Sequence, residues 1–291
     1  MAQAGVGRAG SALLSLLLLG AIVYELRHVD LGRTWLTLPA SPLFWIAFAL
    51  YFWGSPFIEW LILRRLWGAP FSGFGATLRK MVYNEMVLTY LGDAYFFAWL
   101  KRTLPHVQNP FVVAKDMAIV SAFMGSLTTI LAIALVWPVF LSADRSGLDT
   151  PLLLCLALAL ASGGLIALFR KTLLGLARGE IMWIGGLFGL RIVGQAACAV
   201  VMWWSLLPEV GIATWLMLSV VRLVSTRLPL VPSKDLAFAA LAVVLVGPQS
   251  TVAPMIVHVT GLVLLANIAL GAALSLTSGA ALLSRRRLAA A

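Results

Sequence analysis

The chain has 291 residues, of which 62% are hydrophobic and 11% charged, and its mean hydropathy is +0.99. A soluble domain is closer to half apolar and a quarter charged, so this composition excludes an ordinary soluble enzyme and indicates a helical membrane protein. The net charge of +10 is carried by Lys and Arg in short segments between apolar runs, which fits contact with anionic lipid headgroups and not nucleic-acid binding.

Apolar runs of about the length that crosses a bilayer recur along the whole chain. The predicted spans, in order, are 12–23, 41–67, 112–141, 151–169, 181–207, a run that begins near 212, a short run at 236–247, and 251–283. We therefore predict an all-α, polytopic integral membrane bundle with about eight spans. It forms a single domain, 1–291, with two candidate halves, 1–142 and 143–291.

The segment 83–102 is apolar, yet it carries Asn84, Glu85, Thr89 and Asp93. On one continuous helix Glu85, Thr89 and Asp93 would share a face, because they are four residues apart. Carboxylates are costly in lipid and are retained where they face a bundle interior, a wet cavity or a partner cation. The pattern allows two interpretations, a buried polar brace between helices or the lining of a functional cavity.

The distribution of Lys and Arg predicts which side of the membrane each connection occupies. Basic segments, predicted to be cytoplasmic, lie near 64–80, 101–115, 170–178 and 285–287, whereas those near 142–150 and 208–211 are poor in Lys and Arg and are predicted to be outside. The chain is then cytoplasmic both before and after 83–102. This segment should enter the cytoplasmic (inner) membrane and return, as a re-entrant hairpin or a pair of half-helices, and both termini should be cytoplasmic.

A second interrupted segment spans 222–247, where Pro229 and Pro232 break helical continuity. Charged residues flank this break, namely Arg222 and Arg227 before it and Lys234 and Asp235 after it. One interrupted polar segment in each half of a membrane protein is typical of a transporter site between internal repeats.

Two further charged residues lie inside predicted spans. Glu59 is expected to pair with Arg64 or Arg65 at the end of its own helix. Arg191 lies deep in the span 181–207, with Gln195 four residues later.

The order of these features resembles the lysylphosphatidylglycerol synthase transmembrane region, a flippase-like integral membrane family. The similar stretches are R-H-V-D-L at 27–31, L-R-R-L at 63–66, N-E-M-V-L-T-Y-L-G-D at 84–93 and R-L-P-L-V-P-S-K-D at 227–235. The chain departs from the family at Leu88, where a Pro is frequent, at Phe96, where an Arg is frequent, and at 233–235, where glycines and a Glu are typical. The resemblance implies eight or so helices, two re-entrant elements and lipid translocation, but not a particular lipid.

No catalytic set is recognisable. The three histidines, His28, His106 and His258, are far apart and lack the spacing of metal ligands, and the chain contains no P-loop. We therefore predict a protein that is not an enzyme and has no cofactor and no metal.

The favoured function is translocation of a lipid or lipid-linked headgroup, either anionic or polyprenyl-linked. Its predicted substrate-binding residues are Asn84, Glu85, Asp93, Arg222, Arg227, Lys234 and Asp235, with the basic groups holding phosphate and the others holding polar or cationic parts. The alternative is a non-transporting membrane partner of a lipid-modifying enzyme or a glycosyltransferase. An intramembrane enzyme acting on lipid phosphates would need a convergent nucleophile and base, which the sequence does not offer.

Overall fold

The structure is a computed structural model that describes residues 38–87, 91–104, 109–142, 160, 164, 174–226, 234–246 and 250–290. Every regular element in these ranges is an α-helix, as predicted. The eight helices are α1 (Pro42–Trp67), α2 (Ser72–Met86), α3 (Leu91–Thr103), α4 (Pro110–Ser142), α5 (Arg178–Leu206), α6 (Ile212–Ser225), α7 (Lys234–Val246) and α8 (Val252–Ala290). The predicted spans 12–23 and 151–169 lie outside the described residues, except for positions 160 and 164, which are helical.

Four of these helices are long and apolar enough to cross a membrane by length and composition. The qualifying stretches are Pro42–Trp67, Pro110–Trp137, Arg178–Leu206 and Val252–Leu276. They coincide with four of the predicted spans, because each combines more than 18 predominantly apolar residues with few charges. The protein therefore has the helical composition of a membrane protein.

The bounds of α1 follow from its capping residues. Ser41 precedes it and accepts a hydrogen bond from the backbone N–H of Phe44 at 3.4 Å, and Pro42 occupies the first turn, where no N–H is needed. Gly68 ends the helix in the left-handed conformation, φ 64°, and its N–H donates to the carbonyl of Arg64 at 3.0 Å. These caps place a 26-residue helix along the core.

Helices α2 and α3 form an antiparallel hairpin of two short elements. They have 15 and 13 residues, about 22 and 20 Å at 1.5 Å per residue, which is less than a hydrocarbon core of about 30 Å. The end of α2 meets the start of α3 through the rings of Tyr83 and Tyr95, 5.4 Å apart. At the other end, a Cβ added to Gly73 would lie 3.1 Å from Trp99.

The hairpin corrects one expectation from the sequence. Glu85 and Asp93 do not share a face of one continuous helix, because α2 ends at Met86 and α3 begins at Leu91. Thr89, the third member of the expected face, lies outside the described residues. The chain reverses between the two carboxylates, which therefore have different surroundings.

Helices α6 and α7 are also short, with 14 and 13 residues, and they pack against each other. An ion pair between Arg222 and Asp235 joins the end of α6 to the start of α7, so the chain reverses here as well. Trp203 of α5 covers both helices, with ring centroids 6.1 Å from Trp215 and 5.6 Å from Phe238.

The buried core has two main parts that share α1 and α5. One is formed with α6, α7 and α8 around the fully buried side chains of Phe44, Trp215 and Ile256, and the other with α3 and α4 around Phe96 and Phe188. Large apolar side chains also cover the outer surface of the long helices, among them Leu50, Leu131, Leu135, Leu190 and Leu276. Such an exterior would be unfavourable in water and is suited to lipid.

Candidate functional site

Four charged side chains form a continuous chain of ion pairs inside the helical bundle, which we call the ionic network: Glu59, Lys80, Asp93 and Arg191. Lys80 Nζ lies 3.0 Å from Glu59 Oε2 and 3.2 Å from Asp93 Oδ1. Arg191 Nη1 lies 3.1 Å from Glu59 Oε1. The two carboxylates balance the two cations, so the network as a whole is neutral.

The network connects five helices, because each member is supplied by a different one and a fifth helix adds a hydrogen bond. Glu59 belongs to α1, Lys80 to α2, Asp93 to α3 and Arg191 to α5. The Nη2 atom of Arg191 also donates to Ser121 Oγ of α4 at 2.9 Å. All four charged side chains are largely buried, with 11–13% exposed for three of them and 33% for Asp93.

The contacts of Glu59 differ from the expectation that it pairs at the end of its own helix. Its partners are Lys80 and Arg191, whereas Arg64 and Arg65 lie over the rings of Trp60 and Trp183, at 5.1 and 4.3 Å. The reason is geometric: the face of α1 that carries Glu59 points into the bundle, while Arg64 and Arg65 are exposed. A buried carboxylate needs a buried cation, and α5 and α2 supply it.

Asn84 connects the ionic network to the turn of the hairpin. Its Oδ1 accepts a hydrogen bond from the backbone N–H of Gly92 at 2.7 Å, and its Nδ2 donates to Asp93 Oδ2 at 3.3 Å. One amide thus satisfies a free N–H in the first turn of α3 and orients the carboxylate that binds Lys80.

A second ion pair lies at the other interrupted segment. Arg222 Nη2 donates to Asp235 Oδ1 at 2.8 Å, and the guanidinium carbon lies 4.8 Å from the ring centroid of Tyr51. The carbonyl of Tyr51 accepts a hydrogen bond from Gln195 Nε2 at 3.3 Å. The side chain of Arg222 is 15% exposed, so the ion pair and the ring hold it in one position.

The two interrupted segments meet at a small cavity against α8, which we call the junction pocket. It is lined by Glu85, Met86, Asp235, Thr260, Val263, Leu264 and Asn267. Glu85 lies in the last turn of α2 and Asp235 in the first turn of α7. The cavity volume is about 20 Å³, which is room for roughly one water molecule.

The predicted site residues therefore divide between two places. Asn84 and Asp93 belong to the ionic network, where Asp93 binds Lys80 of α2. Glu85 and Asp235 line the junction pocket, with Arg222 beside it. Arg227 lies outside the described residues, as does the side chain of Lys234, the first residue of α7.

We did not predict from the sequence that Glu59, Lys80 and Arg191 belong to the site. A signal was present for each of them: Glu59 and Arg191 are ionisable residues deep within apolar spans, and Lys80 precedes Asn84 by four residues, one helical turn. What the sequence lacked was the pairing between distant helices. Among the residues that the structure describes, no group of three or more His, Cys, Asp or Glu could hold a metal ion.

Comparison with known proteins adds no further assignment: no family model, curated protein or solved structure matches this chain. Its class is defined by its own features. In the part of the chain that the structure describes, every regular element is a helix, four helices are able to cross a membrane, and an ionic network and two pairs of short helices lie among them.

Proposed function

We propose that this protein translocates a lipid or lipid-linked headgroup across the cytoplasmic (inner) membrane, as a polytopic bundle with two re-entrant hairpins and both termini in the cytoplasm. The proposal includes membership of the flippase-like family resembled by its sequence. The observation that carries it is the junction pocket, where polar residues beside both interruptions, Glu85 and Asp235, meet against a long apolar helix, α8. Interrupted helices that meet at a polar site are the usual construction of secondary transporters.

The α2–α3 hairpin supports the re-entrant arrangement. Neither helix is long enough to cross the hydrocarbon core, and the hairpin brings both of its open ends to the same side. Basic residues flank these ends: Arg64 and Arg65 lie in the last turn of α1, just before α2, and Lys101 and Arg102 lie in the last turn of α3, as expected of the cytoplasmic side. In the proposed arrangement the connection between the two helices lies at membrane depth, where irregular backbone is tolerated when protein surrounds it.

The second interrupted segment supplies the chemistry for an anionic headgroup. A guanidinium binds phosphate oxygens through two parallel hydrogen bonds, and Arg222 is held near the junction pocket by Asp235 and Tyr51. Arg227 and Lys234 are the further basic residues of this segment in the sequence. The substrate class is therefore a lipid with a phosphate-bearing headgroup.

The described conformation is closed around the site. A cavity of about 20 Å³ cannot contain a lipid headgroup, so translocation requires the hairpins to separate. The α2–α3 and α6–α7 pairs meet at the junction pocket. They can separate there by a small shift of each pair against the long helices.

The alternative, a non-transporting membrane partner of a lipid-modifying enzyme or glycosyltransferase, is favoured by a different observation. The four charges of the ionic network satisfy one another, as expected of a brace that fixes helix positions. Under this alternative the junction pocket remains closed.

Reconstitution separates the two functions. Purified protein is placed in vesicles that contain phosphatidylglycerol with a fluorescent acyl chain, and a membrane-impermeant reductant bleaches the outer leaflet. Translocation predicts that bleaching proceeds well beyond half of the fluorescence, in proportion to the protein added. Bleaching that stops at half, with protein shown to be folded, would refute translocation of this lipid class. Mass spectrometry of lipids that copurify with the protein identifies the headgroup to use next.

A further inference from the structure

The junction pocket has a composition that headgroup binding alone does not explain. Four of its seven lining residues carry side-chain oxygen atoms, and none of the seven is Lys or Arg: Glu85, Asp235, Thr260 and Asn267 are polar, and Met86, Val263 and Leu264 are apolar. Carboxylate, amide and hydroxyl oxygens are the donors that hard cations prefer.

The side chain of Asn267 gives a second reason to expect a bound ligand in the junction pocket. The residue is only 7% exposed, and its Nδ2 donates to the carbonyl of Val263 at 3.1 Å. That bond fixes the orientation of the amide, because only the NH₂ group can face a carbonyl. The Oδ1 atom is then buried without a hydrogen-bond partner among the described residues, and a buried acceptor in this state is normally satisfied by a bound water or ion.

The size of the pocket limits the ligand. A volume of about 20 Å³ holds one water-sized particle, so a hydrated divalent ion is too large. Mg²⁺ in particular dehydrates reluctantly and keeps several waters when bound. A monovalent ion that exchanges its water for protein oxygens fits the space. Ca²⁺ takes roughly six to eight oxygen ligands, more than four oxygen-bearing side chains supply when Arg222 already holds one carboxylate oxygen.

We propose that the junction pocket binds one dehydrated sodium ion. Asn267 Oδ1 is a ligand, and Thr260 and the carboxylates of Glu85 and Asp235 supply further oxygens. Arg222 binds Oδ1 of Asp235, and Oδ2 is the oxygen that we assign to the ion. This site goes beyond the proposed function, since sodium binding is expected whether or not the protein moves lipid.

Direct binding of radioactive ²²Na⁺ tests the proposal on the purified full-length protein in detergent, with N-methyl-D-glucamine chloride holding the ionic strength constant. We expect saturable binding to the wild type and a Kd at least tenfold higher for Asn267→Ala. Asn267→Asp keeps the ligand oxygen and should bind at least as tightly as the wild type. The matched control is Asn109→Ala, at an exposed asparagine before α4, which should leave the Kd unchanged.

Thr260→Val is the second test, because it removes one hydroxyl and preserves the shape of the side chain. It should also raise the Kd, and it decides the question if Asn267→Ala does not fold. Absence of saturable sodium binding to the folded wild type would overturn the proposal and leave water as the occupant. A wild-type Kd for sodium in the folded Asn267→Ala or Thr260→Val variant would equally contradict a sodium site in the junction pocket.

Discussion

Gly92, in the first turn of α3, lies directly against the backbone carbonyl of Lys80 in α2. A Cβ added to Gly92 would overlap that carbonyl oxygen and approach Asn84 Oδ1 to 2.7 Å. The two helices of the hairpin are therefore as close as their backbones allow. The same contact places the ammonium group of Lys80 within reach of Asp93, the next residue along α3.

Replacing Gly92 by Ala should open the hairpin, because the overlap is with backbone and cannot be relieved by a rotamer change. We expect a loss of roughly 1–3 kcal/mol, the usual range for overpacking, measured as a lower Tm of the detergent-purified protein. The control is Gly54→Ala in α1, where an added Cβ meets nothing within 4 Å. An equal Tm for both variants would show that the close contact is not required.

Removing one charge from the ionic network should lower the thermal stability more than removing an oppositely charged pair. Glu59→Gln leaves Lys80 and Arg191 with one carboxylate between them, and breaking a buried pair costs about 3–5 kcal/mol. The double variant Glu59→Gln/Arg191→Met restores neutrality and should be more stable than Glu59→Gln alone. Thermal melts of both variants make the comparison, with the exposed Glu209→Gln as the control. A double variant less stable than the single one would contradict the pairing.

Asp116 is predicted to hold the segment that leads into α5. It is fully buried, and its Oδ2 accepts from the backbone N–H groups of Gly175 and Leu176 at 2.8 and 3.0 Å. Lys115 Nζ lies 3.4 Å from Oδ1, an ion-pair contact without hydrogen-bond geometry. The carboxylate therefore acts mainly as the acceptor for two backbone donors.

Asp116→Ala should leave both of these buried donors unpaired, at about 1–3 kcal/mol each, and should lower the Tm accordingly. Asp116→Asn keeps one acceptor oxygen and should lie between Asp116→Ala and the wild type. The comparison variant Asn109→Ala removes a weaker, exposed hydrogen bond to Val112 of 3.4 Å. If Asp116→Ala melts like Asn109→Ala, the two backbone bonds are not important to the fold.

Topology can be tested with single cysteines in a variant whose own Cys155 and Cys198 are replaced by Ala. Phe71, just before α2, and Arg102, at the end of α3, are both exposed and should be on the cytoplasmic side. An impermeant maleimide should label Glu209→Cys in intact cells, and Phe71→Cys or Arg102→Cys only after permeabilisation. Labelling of the last two from opposite sides would mean that the hairpin segment crosses the membrane.

The sequence predicted the long helices well because each rests on a local property, an apolar run of sufficient length between polar segments. It also predicted that the chain turns back within 83–102 and that Pro229 and Pro232 break the second segment, and these prolines lie between the end of α6 and the start of α7. It placed Glu85 and Asp93 on one helical face, because the spacing of four residues is uninformative about where a helix ends.

The contacts between distant helices could not be predicted from the sequence. The partners of Glu59 lie 21 and 132 positions away in the chain, at Lys80 and Arg191, and no periodicity relates them. The sequence offers four cations near or within the spans, and only their packing separates them: the neighbouring Arg64 and Arg65 are exposed, whereas Lys80 and Arg191 are buried beside Glu59. Burial therefore determines which cations pair with Glu59, and burial depends on the tertiary fold.

Substitutions of Arg222 separate a substrate-binding role of this residue from a purely structural one. If its guanidinium binds a headgroup phosphate, Arg222→Ala should reduce the rate of lipid translocation per folded protein by tenfold or more. Arg222→Lys should recover only part of the rate, because an ammonium group lacks the two parallel donors of the fork. The matched control is Arg65→Ala, which also removes an arginine stacked on an aromatic ring, Trp183, and should leave the rate unchanged.

Asp235→Asn distinguishes the binding role from the structural one, because it weakens the ion pair with Arg222 but retains the guanidinium. In a binding role, Arg222→Ala raises the mole fraction of phosphatidylglycerol needed for half-maximal rate, whereas Asp235→Asn does not. In a structural role both variants weaken the ion pair, so both should lower the Tm and leave that mole fraction unchanged. Arg222→Ala should lower the Tm more, because it also loses the contact with Tyr51. Titration of phosphatidylglycerol in proteoliposomes, normalised to folded protein, measures the difference. A wild-type lipid dependence in folded Arg222→Ala would leave Arg222 as a structural partner of Asp235 and Tyr51, and the headgroup would have to be held by other residues.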